Sequence, residues 1–339
     1  MNMKHQFQGR NKKRLENRHV DDEGCEYGTA TLGGSKCVVS IAPSHGAVIR
    51  SLHGGSKISG GEPHDINSPY QSFHGRSASK EEVYAEGLKG ASHQPDADAV
   101  SKHAKRFDAI KSLVSKSVKI VRKTEDFAGK VVGLDIGAAL RGDAFIRNKK
   151  RRRTQSECVA IFVPVNAVGS VDSRICQIRS SAALACAQIL EDSGQPVEVY
   201  GLAWSCGVSI GYDGLSVVKV KGSNEPFNLG QAASALSAWS WRSLIFGFRE
   251  LGFANALEHR MTDGGGRSMV PTKRFCAELA DLLGCQKFAS IAHIPRRGTR
   301  WTTANAEKEV EQCTDALIEA LKGIMKNDDA FSGLNYGRD

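Results

Sequence analysis

From Lys130 onward, short apolar runs alternate with longer stretches in which apolar positions recur every three or four residues. KVVGLDI, CVAIFVPVNA, VEVYGLAWSCG, LSVVKVK and QKFASIAHI are rich in β-branched and apolar residues and are predicted to be strands. Between and after them, VDSRICQIRSSAALACAQILEDSG reads as a helix opened by Asp172 and stopped by Gly194. LGQAASALSAWSWRSLIFGFREL reads as one helix or a pair, PTKRFCAELADLLG as a helix, and ANAEKEVEQCTDALIEALKGIMK as a terminal helix. Strands separated by helices are expected to run parallel. The pattern therefore predicts an α/β domain over residues 130–326, with a mostly parallel central sheet, helices on both faces, and a tail over 327–339.

The first half of the chain reads differently. Residues 1–70 are rich in Gly, Ser and His and hold no sustained period, which predicts a largely irregular arm. Within it, CEYGTATLGGSKCVVSIAPSHGAVIRSL alternates weakly and can form one or two strands of a hairpin. Residues 71–129 are predicted to be a helical segment. Ser79 and Glu82 make a capping box for a helix that Gly87 or Gly90 ends. A second helix sets Phe107, Ile110, Leu113, Val114 and Val118 on one face, with lysines opposite.

A chain of 339 residues that is 40% hydrophobic can bury a real core. No run approaches the ~18 apolar residues of a membrane span, and no apolar stretch follows the basic start. A cytoplasmic protein without a membrane partner is expected, in the host cytoplasm if a phage encodes it. The nine cysteines form no CxxC pair, so they read as reduced, small hydrophobes rather than as a disulfide framework, zinc site or nucleophile.

The net charge of +9 favours acidic partners, DNA and RNA among them. Part of it sits near the N-terminus and part in a block of Arg147, Lys149, Lys150, Arg151, Arg152 and Arg153. Neither group has interleaved aromatics. Nucleic acid held there would be bound electrostatically and without sequence readout, and a solvated, self-repelling loop is the alternative. In IPRRGTRW, Arg296, Arg297 and Arg300 stand beside Trp301 just beyond a predicted strand, at the end of the sheet where α/β folds bind ligands. Guanidinium groups and an indole can hold a phosphate or a base. The plainer reading is a surface loop with one anchoring tryptophan. His259 and His293 are acid-base candidates, but no serine or cysteine has a recognisable nucleophile context.

The apolar strand ending in Asp135, the helix after it, the strand VEVYGLAW and the segment KVKGSNEPFNLGQAASAL are similar to the von Willebrand factor A-like fold. SFHGRSASKEEVYAEGLKG followed by VVGLDIGAALRGDAFIR more narrowly resembles phage and bacterial proteins that carry a divergent version of that domain. The resemblance implies a magnesium site built on Asp-x-Ser-x-Ser, because that hard cation takes oxygen ligands. Here the corresponding residues are Asp135, Gly137 and Ala139, so both hydroxyls are missing. Asp143 is a nearby oxygen donor, and Thr262 with Asp263 repeats a later motif of the family after a stretch that is not an apolar strand. Asp135 and Asp143 thus read as a degenerate metal site, with no cofactor expected. The resemblance implies a non-enzymatic binding module, a scaffold for a protein partner such as an ATPase. Sequence-nonspecific nucleic-acid binding through the basic blocks is the alternative, and a metal-dependent enzyme is a more distant third.

Overall fold

The protein is described by a computed structural model that covers residues 14–53, 107, 110, 112, 158–166, 170–192, 195–209, 211–225, 227–258, 267–285, 287–291, 293, 295 and 297–326. The chain enters through a meander of β1 (Glu16–Val20), β2 (Glu26–Leu32) and β3 (Ser35–Ala42), followed by α1 (His45–His53). Leu32 and Ser35 pair across Gly33 and Gly34, whose φ angles of +61° and +91° are the conformation a two-residue hairpin turn demands and glycine accepts.

Next come β4 (Val159–Pro164), α2 (Ser173–Asp192), β5 (Val197–Ser209) and β6 (Tyr212–Lys221). Then follow α3 (Leu229–Ala235), α4 (Ala238–Leu257), the two-residue β7 (Arg267–Ser268), α5 (Lys273–Leu283), β8 (Lys287–Ser290) and α6 (Thr303–Lys326). The caps follow local chemistry. The hydroxyls of Ser237 and Thr272 accept from the backbone at the starts of α4 and α5, and Gly284 closes α5 in a left-handed conformation.

All the strands belong to one sheet in the order β1-β2-β3-β6-β5-β4-β8, with β7 pairing β5 off that path. β3 with β6, β4 with β5, and β4 with β8 are parallel, whereas β1 with β2, β2 with β3, β5 with β6, and β5 with β7 are antiparallel. The expectation of a mostly parallel sheet is therefore corrected: the fold is α/β, but its sheet is mixed and mostly antiparallel. Two tight connections account for the difference. Ser209 pairs with Tyr212 beside Gly211 at φ +81°, so β5 and β6 form a hairpin, and a hairpin can only be antiparallel.

Both faces of β4 are buried. Ile161 and Val163 point into the larger core, where α1 to α4 and α6 pack, while Ala160 and Phe162 point to the opposite core under α5. Gly201 of β5 lets α4 lie close, because a Cβ there would come within 2.1 Å of Trp241 Cζ2. Of the segment predicted to be an irregular arm, residues 16–53 are largely strands and a helix, and β3 joins them to the later half through β6. Phe107 and Ile110 of the predicted helical segment are buried in the larger core. The predicted strand at Val131–Ile136 and the tail over 327–339 lie outside the described residues. Among the described residues, no helix is long and apolar enough to cross a membrane. Seven cysteines are buried, with Cys206 and Cys285 half-buried, and all nine are free thiols.

Candidate functional site

β4, β5 and β8 run in one direction with β4 between the other two. The chain leaves β4 through α2 to reach β5 on one side and returns much later as β8 on the other. The strand order thus reverses at β4, which makes its C-terminal end a switch point, although α2 after β4 and α6 after β8 pack on the same face of the sheet.

At this end of β4 the start of α2 meets the loop after β8. Asp172 caps α2: its carboxylate accepts from the Arg174 backbone at 3.0 Å and from Arg174 Nε and Nη2 at 3.0 and 2.9 Å. The Arg174 side chain is the main cause that holds the Asp172 carboxyl below its ordinary range. Arg174 in turn lies over the Trp301 ring, 5.0 Å from its centroid. That ring is half-buried against the cluster containing Val171 and Ile175.

Further bonds fix the loop. Gly298 N donates to Ser170 Oγ at 3.0 Å, Asp172 N donates to Thr299 O at 3.0 Å, and Asn305 Nδ2 donates to Arg300 O at 2.8 Å. Arg297 and Arg300 remain exposed on this pinned loop.

Beneath it lies a buried charge network. Arg179, in the second turn of α2, is 0% exposed. Its Nη1 donates to Pro164 O at 2.8 Å and to Asn166 O at 3.3 Å, at the end of β4. Its Nε is 3.9 Å from Glu309 Oε1 on α6, an ion pair longer than a hydrogen bond, and neither Nε nor Nη2 makes a hydrogen bond. The other carboxylate oxygen of Glu309 is 2.9 Å from His293 Nε2, so the loop after β8 is also tied to α6. Asn166 Nδ2 donates to Trp204 O at 2.6 Å, while its buried Oδ1 has no hydrogen bond. Arg242 of α4 donates to Val171 O at 2.9 Å. Burial, and secondarily the charge of Arg179, lower its pKa.

The structure thus divides the sequence-predicted residues. Arg297, Arg300 and Trp301 come together on the loop after β8, with Trp301 acting as an anchor whose ring is already covered by Arg174. Arg296, the block Arg147, Lys149, Lys150, Arg151, Arg152 and Arg153, and Asp135, Asp143, His259, Thr262 and Asp263 lie outside the described residues. Among the described residues, no group of three or more His, Cys, Asp or Glu is arranged to hold a metal. The strand that leads directly into α2 and pairs parallel with β5 is β4, not the run that ends in Asp135.

Sequence reasoning missed Arg179, Glu309 and Asn166. The signal for two of them was a charge on an apolar helix face. Arg179 falls among Ile175, Ile178, Ala182 and Ala183, and Glu309 falls among Ala306, Val310 and Cys313. Chemically, the arrangement engages its carboxylates with its own cations and leaves cationic groups to spare, which suits binding of an anionic group.

A family model described as a domain of unknown function (DUF7192) matches residues 62–271, more than half of the chain, and the chain belongs to that family. No curated protein and no solved structure matches it.

Proposed function

We propose that this member of the DUF7192 family is a non-enzymatic binding module, a scaffold that engages a protein partner through the loops at the C-terminal ends of β4 and β8. One observation carries the reading: the loop holding Arg297 and Arg300 is pinned to the starts of α2 and α6, yet it presents both guanidinium groups to solvent. A recognition surface needs side chains displayed on a fixed support, since ordering a mobile loop would cost part of the binding energy. The arrangement of β5, β6, β4 and β8 around the switch point is in keeping with a divergent von Willebrand factor A-like domain.

The test is affinity purification of the nuclease-treated full chain, compared with an Arg297→Glu, Arg300→Glu variant, followed by reconstitution with the purified partner. A stoichiometric complex that the variant cannot form is expected. A partner held equally well by the variant would place recognition elsewhere.

A second reading keeps the same loop but gives it a nucleic-acid backbone, favoured by the shared positive charge of Arg297 and Arg300. It predicts fluorescence-anisotropy binding of DNA or RNA that falls steeply between two salt concentrations. Neutralising Lys149, Lys150, Arg151, Arg152 and Arg153 would divide that binding between the basic block and the loop.

A further inference from the structure

Arg179 presents an unusual remainder. A guanidinium group offers a side-on pair of parallel N–H bonds, from Nε and Nη2, that matches two oxygens of one oxyanion. In Arg179 this pair is without hydrogen bonds, although the residue is fully buried and its Nη1 is engaged with the end of β4. Leaving buried donors unmet costs about 1–3 kcal/mol each, so native proteins rarely do it without an occupant.

The unmet valences are of two kinds. Arg179 needs acceptors. Asn166, whose backbone carbonyl Arg179 already holds, has a buried amide oxygen that needs a donor. Glu309 Oε1, 3.9 Å from Arg179 Nε, accepts a weak bond from the Cys313 thiol at 3.7 Å and has capacity for a stronger donor. A hydroxyl oxygen that accepts from Nε at about 2.9 Å and donates to the carboxylate at about 2.6 Å spans that separation at roughly a right angle. A single water can fill that one position, but it cannot meet both parallel N–H bonds of the fork in line.

We propose that the buried cluster at the end of β4 binds a proton-bearing oxyanion, with hydrogen phosphate as its simplest form, seated on the side-on edge of Arg179 and donating a hydrogen bond to Glu309. The proposal deepens the binding-module reading by naming the chemistry recognised at that end of the sheet. The anion's charge opposes that of Arg179 and of its neighbour Arg242, while its proton removes the conflict with Glu309. Because Arg179 is fully buried, exchange proceeds through local opening, and slow association is expected.

The experiment is isothermal titration of the full chain with inorganic phosphate. Sulfate at matched ionic strength is the control, since it offers acceptors but no proton near neutral pH. Phosphate is expected to bind at one site and sulfate at least about tenfold more weakly, the difference of one good hydrogen bond to a charged group. Arg179→Lys, which keeps the charge but loses the fork, is expected to weaken phosphate binding by about tenfold or more. Should that variant fail to fold, the Arg179 Nε–H resonance of arginine-labelled wild-type protein gives the same answer, because phosphate and not sulfate should shift it.

Equal responses to the two anions, or no response to either, would overturn the proposal and leave the fork to water. The Arg297→Glu, Arg300→Glu variant separates the two readings. Phosphate binding that survives in it while partner binding is lost supports both, whereas a wild-type chain that binds its partner but not phosphate sinks only the oxyanion site.

Discussion

Two polar clusters, a half-buried one in the N-terminal meander and a buried one at the end of β4, solve the same problem with different degrees of completeness. In the meander, Asp21 accepts four hydrogen bonds: from the backbone of Glu23 and Cys25 at 3.0 and 2.8 Å, the Tyr27 hydroxyl at 2.8 Å and the Ser51 hydroxyl at 2.7 Å. These donors come from the β1–β2 loop, β2 and α1, so one carboxylate closes the corner. Burial, the main cause, raises the pKa of Tyr27 far above its usual range and pushes the Cys25 thiol up to about 12, which leaves both protonated and inert at neutral pH. At the end of β4, Arg179, Glu309 and Asn166 are tied together, but two donors and one acceptor are left over. A cluster with every valence used is architecture, and one with valences to spare can take a further partner.

Removing the carboxylate from each cluster is the sharpest way to test that contrast. Glu309→Ala would leave Arg179 as an uncompensated buried charge, and a loss of about 3–5 kcal/mol is expected in chemical denaturation. A loss below about 1 kcal/mol would show that Glu309 does little to compensate the Arg179 charge, and would break the comparison. Asp21→Ala strands the hydroxyls of Tyr27 and Ser51 and should cost about 2–4 kcal/mol. Because that site is complete, no added anion should restore it, which a thermal-shift series with phosphate would check.

Gly201→Ala concerns packing between the clusters. The new Cβ would overlap Trp241 and force α4 away from β5, at a cost of about 1–3 kcal/mol measured in the same way.

The smallest effect is expected from acid. Burial pushes the half-buried His45, which shares a hydrogen bond with Ser240 Oγ, down to about 4 from its ordinary 6.5. The unfolded chain therefore takes up a proton that the folded chain refuses. This contribution is fully present above pH 6.5 and is lost as the pH falls from there through about 4. Stability measured against pH should be flatter over that window in His45→Gln, and an unchanged slope would show that His45 is not the group responsible.

Much of the fold was legible from near neighbours. The capping threonine and closing glycine of α5, the continuous apolar run of Val159–Pro164, and the apolar periodicity of α2 and α6 are written in residues a few positions apart. The division of LGQAASALSAWSWRSLIFGFREL into two helices was left open by periodicity alone, and the Ser237 cap at the start of α4 decided it. Arg297, Arg300 and Trp301 were singled out because the order of elements alone places them after a strand's C-terminal end, where α/β sheets act.

By itself, then, the sequence determined which segments of residues 158–326 become helices and strands, because periodicity, caps and turn residues act over one or two turns of chain. Tertiary structure decided the direction of the strands, the inclusion of the first fifty residues in the sheet, and the meeting of Arg179 with Glu309 and of Ser170 with Gly298. Those pairs lie about 130 residues apart and touch only when β8 settles on the far side of β4. Their encounter depends on the packing of the whole sheet, and no local window of sequence carries it.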